Sequence, residues 1–110
     1  MVYNNQLCLS GLGECKGRLL GYIKLKTNIQ EAINLSLIRL DEYRRDFEYF
    51  KREEHDREMT AVSVSLLTAE KVGLQKLFGL RNYCWGKIRE TEHEKRAWEE
   101  VYFDNLVTEP

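Results

Sequence analysis

The chain has 110 residues, the size of one small domain, and a net charge of −1 from 17 basic and 18 acidic residues. No basic stripe stands out, which argues against a nucleic-acid partner, and no run of about 18 apolar residues could span a bilayer. Charged residues make up 32%, above the roughly 25% of an average protein, so the surface should be large relative to the core, as in a helical rod.

Met1 to Ser10 lacks the charged start and apolar core of a secretory signal. Cys8, Cys15 and Cys84 form no tight framework, so free thiols in a reducing cytoplasm are expected. Gly13, Gly17 and Gly21 then recur every fourth residue. Each would cost about 1 kcal/mol relative to alanine inside a helix. The run reads either as a frayed helix start or as a smooth surface for another backbone.

From Leu19 a stripe steps alternately by three and four through Tyr22, Lys26, Ile29, Ile33, Ser36, Leu40, Tyr43, Phe47, Phe50 and Glu54. A mean step of about 3.5 residues marks a helix packed lengthwise on another helix. Asp41 with Arg45, Glu48 with Arg52 and Glu53 with Arg57 have the acid-first i,i+4 spacing of a solvated helix face. The only proline is Pro110, so nothing upstream forbids long helices.

The pattern changes at Met59. Thr60-Ala61-Val62-Ser63-Val64-Ser65 is β-branched and serine-rich, which disfavours helix. Thr68 ahead of Ala69-Glu70-Lys71 reads as an N-cap. These features predict helix one over about 14–58, an apex over about 59–67 (centred on 60–67), and helix two over about 68–106. The second stripe holds Leu74, Leu77, Cys84, Ile88, Trp98 and Tyr102, interrupted by Arg81, Thr91 and Lys95, with Gly73, Gly79 and Gly86 nearby. The predicted fold is all-α: one domain over 1–110, a long antiparallel two-helix coiled-coil hairpin, each helix ~60 Å long at 1.5 Å per residue. Such a hairpin has a thin core. With six Tyr, four Phe and two Trp, some aromatic residues should stay exposed as partner contacts.

No chemistry-bearing constellation accompanies this pattern. Glu90-x-x-His93 is half of a di-iron carboxylate motif, but Arg52 stands three before His55 where the second half needs Glu. Cys8 and Cys15 do not have zinc spacing. Neither histidine has the context of a nucleophilic site, and no glycine-rich loop follows a strand. The expectation is a protein with no catalytic, cofactor or metal residues, which acts by binding other proteins.

Two stretches are more specific. Cys8-x6-Cys15 followed by Lys16-Gly17-Arg18-Leu19-Leu20-Gly21-Tyr22 resembles the opening of the InvI/SpaM family of type III secretion systems, with its two cysteines seven apart and a Leu-Leu-x-Tyr. Leu67-Thr68-Ala69-Glu70-Lys71-Val72 resembles that family's Leu-Ser-x-Glu-Glu-Ile. Together they cover about a fifth of the chain, which departs from the family in having more glycine and fewer glutamates and glutamines. The family is related to SctO/YscO and similar to flagellar FliJ. The resemblance implies a central stalk protein: it would bind the secretion ATPase hexamer, promote its activity and link it to the export gate protein. Secretion chaperones are a further implied partner class. Its place would be the bacterial cytoplasm, peripheral to the inner-membrane apparatus. By analogy, Arg18, Lys24, Lys26, Trp98 and Tyr102 would face the ATPase, and Val62, Val64, Leu66 and Leu67 the gate. The alternative is a type III secretion chaperone or other helical adaptor.

Overall fold

The computed structural model describes residues 4–53 and 57–108, without the side chain of Glu53. It contains two helices, α1 (Asn5–Glu53) and α2 (Arg57–Thr108), joined as an antiparallel hairpin. The chain divides into two compact units. One joins Met1–Thr27 to Tyr83–Pro110, and the other is Asn28–Asn82.

Asn4 starts α1. Its side-chain Oδ1 accepts the Leu7 backbone N–H at 2.7 Å, and its carbonyl accepts that of Cys8 at 3.1 Å. This is an N-cap, and α1 begins at Asn5, nine residues ahead of the predicted start at 14. The glycine run therefore lies inside a regular helix and does not fray its beginning.

The predicted apex is also corrected. Residues 60–67 are helical and α2 begins at Arg57, so the predicted apex falls within a helix; the end of the predicted stripe lies outside the described residues. Thr68 is not a cap: its hydroxyl donates to the Val64 carbonyl at 2.9 Å, one turn back within α2. β-Branched and serine residues cost only a few tenths of a kcal/mol each in a helix, and burial on a partner helix outweighs that. Ser63 is buried here, and Thr60 and Leu67 are half-buried.

Burial follows the 3.5-residue period along both helices. On α1 the covered positions run Cys8, Leu12, Cys15, Leu19, Tyr22, Lys26, Ile29, Ile33, Ser36, Leu40, Tyr43, Phe47 and Phe50. On α2 they run Thr60, Ser63, Leu67, Glu70, Leu74, Leu77, Arg81, Cys84, Ile88, Thr91, Lys95, Trp98, Tyr102 and Asn105. Neither series skips a step. Arg81, Thr91 and Lys95 are thus members of the α2 seam and do not interrupt it. Thr91 is buried because its hydroxyl donates to the Lys87 carbonyl at 2.7 Å, leaving only its methyl to pack.

In the unit that holds both ends of the chain, the core is built from small side chains: Cys8, Cys15 and Cys84 are buried free thiols, with Ile88 and Thr91 beside them. The pairs Cys8–Asn105, Gly11–Trp98, Arg18–Glu94 and Lys26–Trp85 step forward along α1 and backward along α2. In the other unit Ile29, Ile33 and Leu74 are the buried apolar groups, and each such side chain contributes about 1.5–3 kcal/mol. The Arg81 Nη1 donates to Gln30 Oε1 at 3.0 Å, and Ser36 and Arg39 both reach Glu70.

Gly11 is the one glycine whose missing side chain is needed. A Cβ there would meet the Trp98 indole, with Cδ2 at 2.7 Å and Nε1 at 2.8 Å, whereas Cβ atoms at Gly13, Gly17 and Gly21 would enter open space. Gly11→Ala should lower stability by about 1–3 kcal/mol through overpacking. Gly13→Ala should raise it by up to about 1 kcal/mol through helix propensity. Urea unfolding of the two variants followed by circular dichroism checks the opposite signs.

Candidate partner-binding surfaces

All five residues assigned by analogy to the ATPase lie in the unit built from the two chain ends. Only Lys24 is a plainly outward side chain. Arg18 is committed within the hairpin: its Nη2 donates to Glu94 Oε2 at 2.9 Å and lies 3.6 Å from Cys15 Sγ. The Glu94 hydrogen bond, ahead of all other causes, raises the Arg18 pKa further above its ordinary value. Both partners are nearly half exposed, so solvent screens the pair and it adds little to stability.

Lys26 sits half-buried on the seam with its Nζ 3.7 Å above the centre of the Trp85 ring, a cation–π contact across the helix pair. Trp98 and Tyr102 are half-buried seam residues, and Trp98 is held face-on to the α1 backbone at Gly11. Their first role is structural. A shallow cleft lined by Glu94, Ala97, Trp98 and Val101 leaves one side of the Trp98 ring reachable.

Val62, Val64 and Leu66 are exposed, and Leu67 is half-buried. They occupy the first turns of α2, not a connection. Leu67 lines a cleft with Leu37, Leu40, Asp41, Arg44 and Lys71. Asp41 also pairs with Arg45 at 3.0 Å, as its spacing predicts. The Glu53–Arg57 spacing and His55 lie outside what is described.

Further surface emerges that sequence pattern alone does not single out. Large apolar side chains point outward on both helices; Leu20 is 70% exposed and Phe103 64%. Leu35, Ile38, Leu80 and Val107 are likewise exposed. Composition warned of exposed aromatic residues, but separating seam from flank required the burial pattern. Among the described residues no group of three His, Cys, Asp or Glu could hold a metal ion, and no helix is long and apolar enough to cross a membrane. His93 is exposed, and Glu90 pairs with Lys87 at 3.2 Å.

The strongest polar cluster is Ser36–Arg39–Glu70. One carboxylate oxygen, Glu70 Oε1, accepts from the Ser36 hydroxyl at 2.7 Å and from Arg39 Nε at 3.1 Å. Arg39 Nη2 stands 3.0 Å from the same oxygen. The Glu70 side chain is only 17% exposed. Hydrogen bonding from Ser36, then from Arg39, holds its pKa below the usual glutamate value of 4.5.

No family model matches the chain, and neither the curated proteins nor the solved structures contain a match.

A depressed carboxylate pKa adds stability at pH values above the unfolded glutamate pKa, and that stability is lost as pH falls through the folded value. Glu70→Gln should therefore flatten the acid side of the stability profile. Urea midpoints of both proteins from about pH 7 to about pH 3 should converge at the acidic end.

Proposed function

We propose that this chain is the central stalk of a type III secretion system, which binds the secretion ATPase, promotes its activity and links it to the export gate protein. The observation that supports a binding role is the set of large apolar side chains left outward on both helices. The two stretches resembling InvI/SpaM proteins, around Cys8–Tyr22 and Leu67–Val72, supply the identity of the partners. The reading places the protein in the bacterial cytoplasm beside the inner membrane.

Mechanistically the chain supplies no reacting group. Its task is to present fixed side chains to unequal neighbours. A hairpin lacks the symmetry of a hexameric ring, so it touches the subunits differently and can bias which one closes on nucleotide. Lys24 and Leu20 are exposed contacts for that purpose, while Arg18, Lys26, Trp98 and Tyr102 hold the helices that carry them. The second reading, a secretion chaperone or other helical adaptor, draws on the same apolar flanks.

The test is ATP hydrolysis by a purified type III secretion ATPase titrated with this protein. Turnover should rise with added protein. Lys24→Glu and Leu20→Ala should weaken the stimulation with helicity unchanged, because both side chains lie off the seam. Trp98→Ala should lower stability as well, by about 1–3 kcal/mol for a half-buried aromatic residue. A folded protein that leaves turnover unchanged removes the stalk reading and puts the adaptor reading first.

A further inference from the structure

All three thiols of the chain lie in the unit that joins its two ends, and all are covered: Cys8 and Cys15 are 0% exposed and Cys84 1%. They also form much of what that unit buries. Among its described residues one aliphatic side chain, Ile88, is buried, against Ile29, Ile33 and Leu74 in the other unit. The other unit is further clamped by Glu70 on Ser36 and Arg39. A region with few buried apolar groups opens before one with more.

The closed hairpin keeps the thiols apart. Cys8 and Cys15 stand seven residues apart in one continuous helix, so their Cα atoms are about 10 Å from each other. A disulfide needs a Cα separation of no more than about 7 Å. Cys84 is farther still: its neighbour Trp85 lies under Lys26, eleven residues and about 16 Å along α1 from Cys15. No pair can therefore be bridged until the unit opens and α1 unwinds between Cys8 and Cys15.

We propose that Cys8 and Cys15 are an oxidation site for a hydroperoxide, reached when the chain-end unit opens, and that the disulfide they form holds the unit open. Cys15 reacts first. Its sulfur lies 3.6 Å from Arg18 Nη2, one turn away on the same helix. When the helices part, Arg18 loses Glu94, which belongs to α2, and its guanidinium is released to pair with the attacking thiolate. The Cys15 sulfur takes one peroxide oxygen: an S–O bond forms, the O–O bond breaks, and the leaving hydroxide gains a proton to give water. The Cys8 thiolate then attacks the sulfenic sulfur of Cys15; an S–S bond forms, the S–O bond breaks, and a second water leaves. Two thiols are oxidised to one disulfide, and one peroxide is reduced to two waters. Because the bridge does not fit a continuous helix, the oxidised seam stays parted until a thiol reductant cleaves it. This inference is independent of the secretion reading.

The test treats the reduced full chain with hydrogen peroxide and maps its thiols by peptide mass. A Cys8–Cys15 cross-link should appear within one chain, with a fall in the helical signal that dithiothreitol reverses. Cys84→Ala should behave like the wild type, whereas Cys8→Ala should stop at a sulfenic acid on Cys15 that dimedone traps. Ser63→Cys places a reporter thiol at a buried position of the other unit. In that variant a maleimide should label Cys8 and Cys15 at least about tenfold faster than the thiol at 63. Thiols that resist peroxide until urea unfolds the whole chain overturn the proposal. So does equal labelling of the two units, a bridge that involves Cys84 or a second chain, or a Cys8–Cys15 bridge that leaves the helical signal unchanged. The wild-type cross-link is decisive by itself, even where a variant fails to fold.

Discussion

A helix with one neighbour can cover only one stripe of its surface, and in this chain that stripe is narrow. Cys8, Gly11, Cys15, Ser36, Ser63, Cys84 and Thr91 are all buried, and each is smaller than leucine. Small seam residues bring the helix backbones close, which favours dispersion contacts along the whole interface but leaves little apolar area to withdraw from water. The remaining leucines, isoleucines and aromatic residues have no interior to enter. Their exposure follows from the two-helix architecture itself.

A seam that repeats so regularly needs another means of fixing its alignment. A slip of one heptad would preserve an apolar stripe, so apolar packing alone would not forbid it. The polar members of the seam do. Glu70 must find Ser36 and Arg39, Arg81 must find Gln30, and Lys26 must find Trp85. Displacing them would leave a mostly covered carboxylate without its donors, a loss of about 1–3 kcal/mol. Gly11 adds a steric term, because Trp98 fits against α1 only where no Cβ stands.

The class of fold was legible because the stripe from Leu19 to Phe50 keeps its period for more than four heptads. Element limits were harder to read. Local propensity pointed to a helix start near Glu14 and an apex over Thr60 to Leu67, yet Asn4 caps α1 and the β-branched segment is helical. In both places contact with the other helix outweighs preferences worth tenths of a kcal/mol per residue. Arg81 and Lys95 looked like breaks in a stripe because a charge on a seam reads as a fault until its partner or its exposed tip is visible. Among the residues assigned to partner contact, Arg18, Lys26, Trp98 and Tyr102 turned out to be engaged inside the hairpin or seated on its seam. No sequence spacing distinguishes an aromatic side chain that waits for a partner from one already seated on a glycine.

The placement of the indole groups has an optical consequence. Both tryptophans, Trp85 and Trp98, belong to the unit formed by the chain ends, and the Asn28–Asn82 unit contains none. Intrinsic fluorescence excited at the red edge therefore reports on one half of the hairpin alone, while the amide signal of the far ultraviolet sums over both. Comparing the two on a single sample reads out whether the halves melt together, with no label attached to the chain.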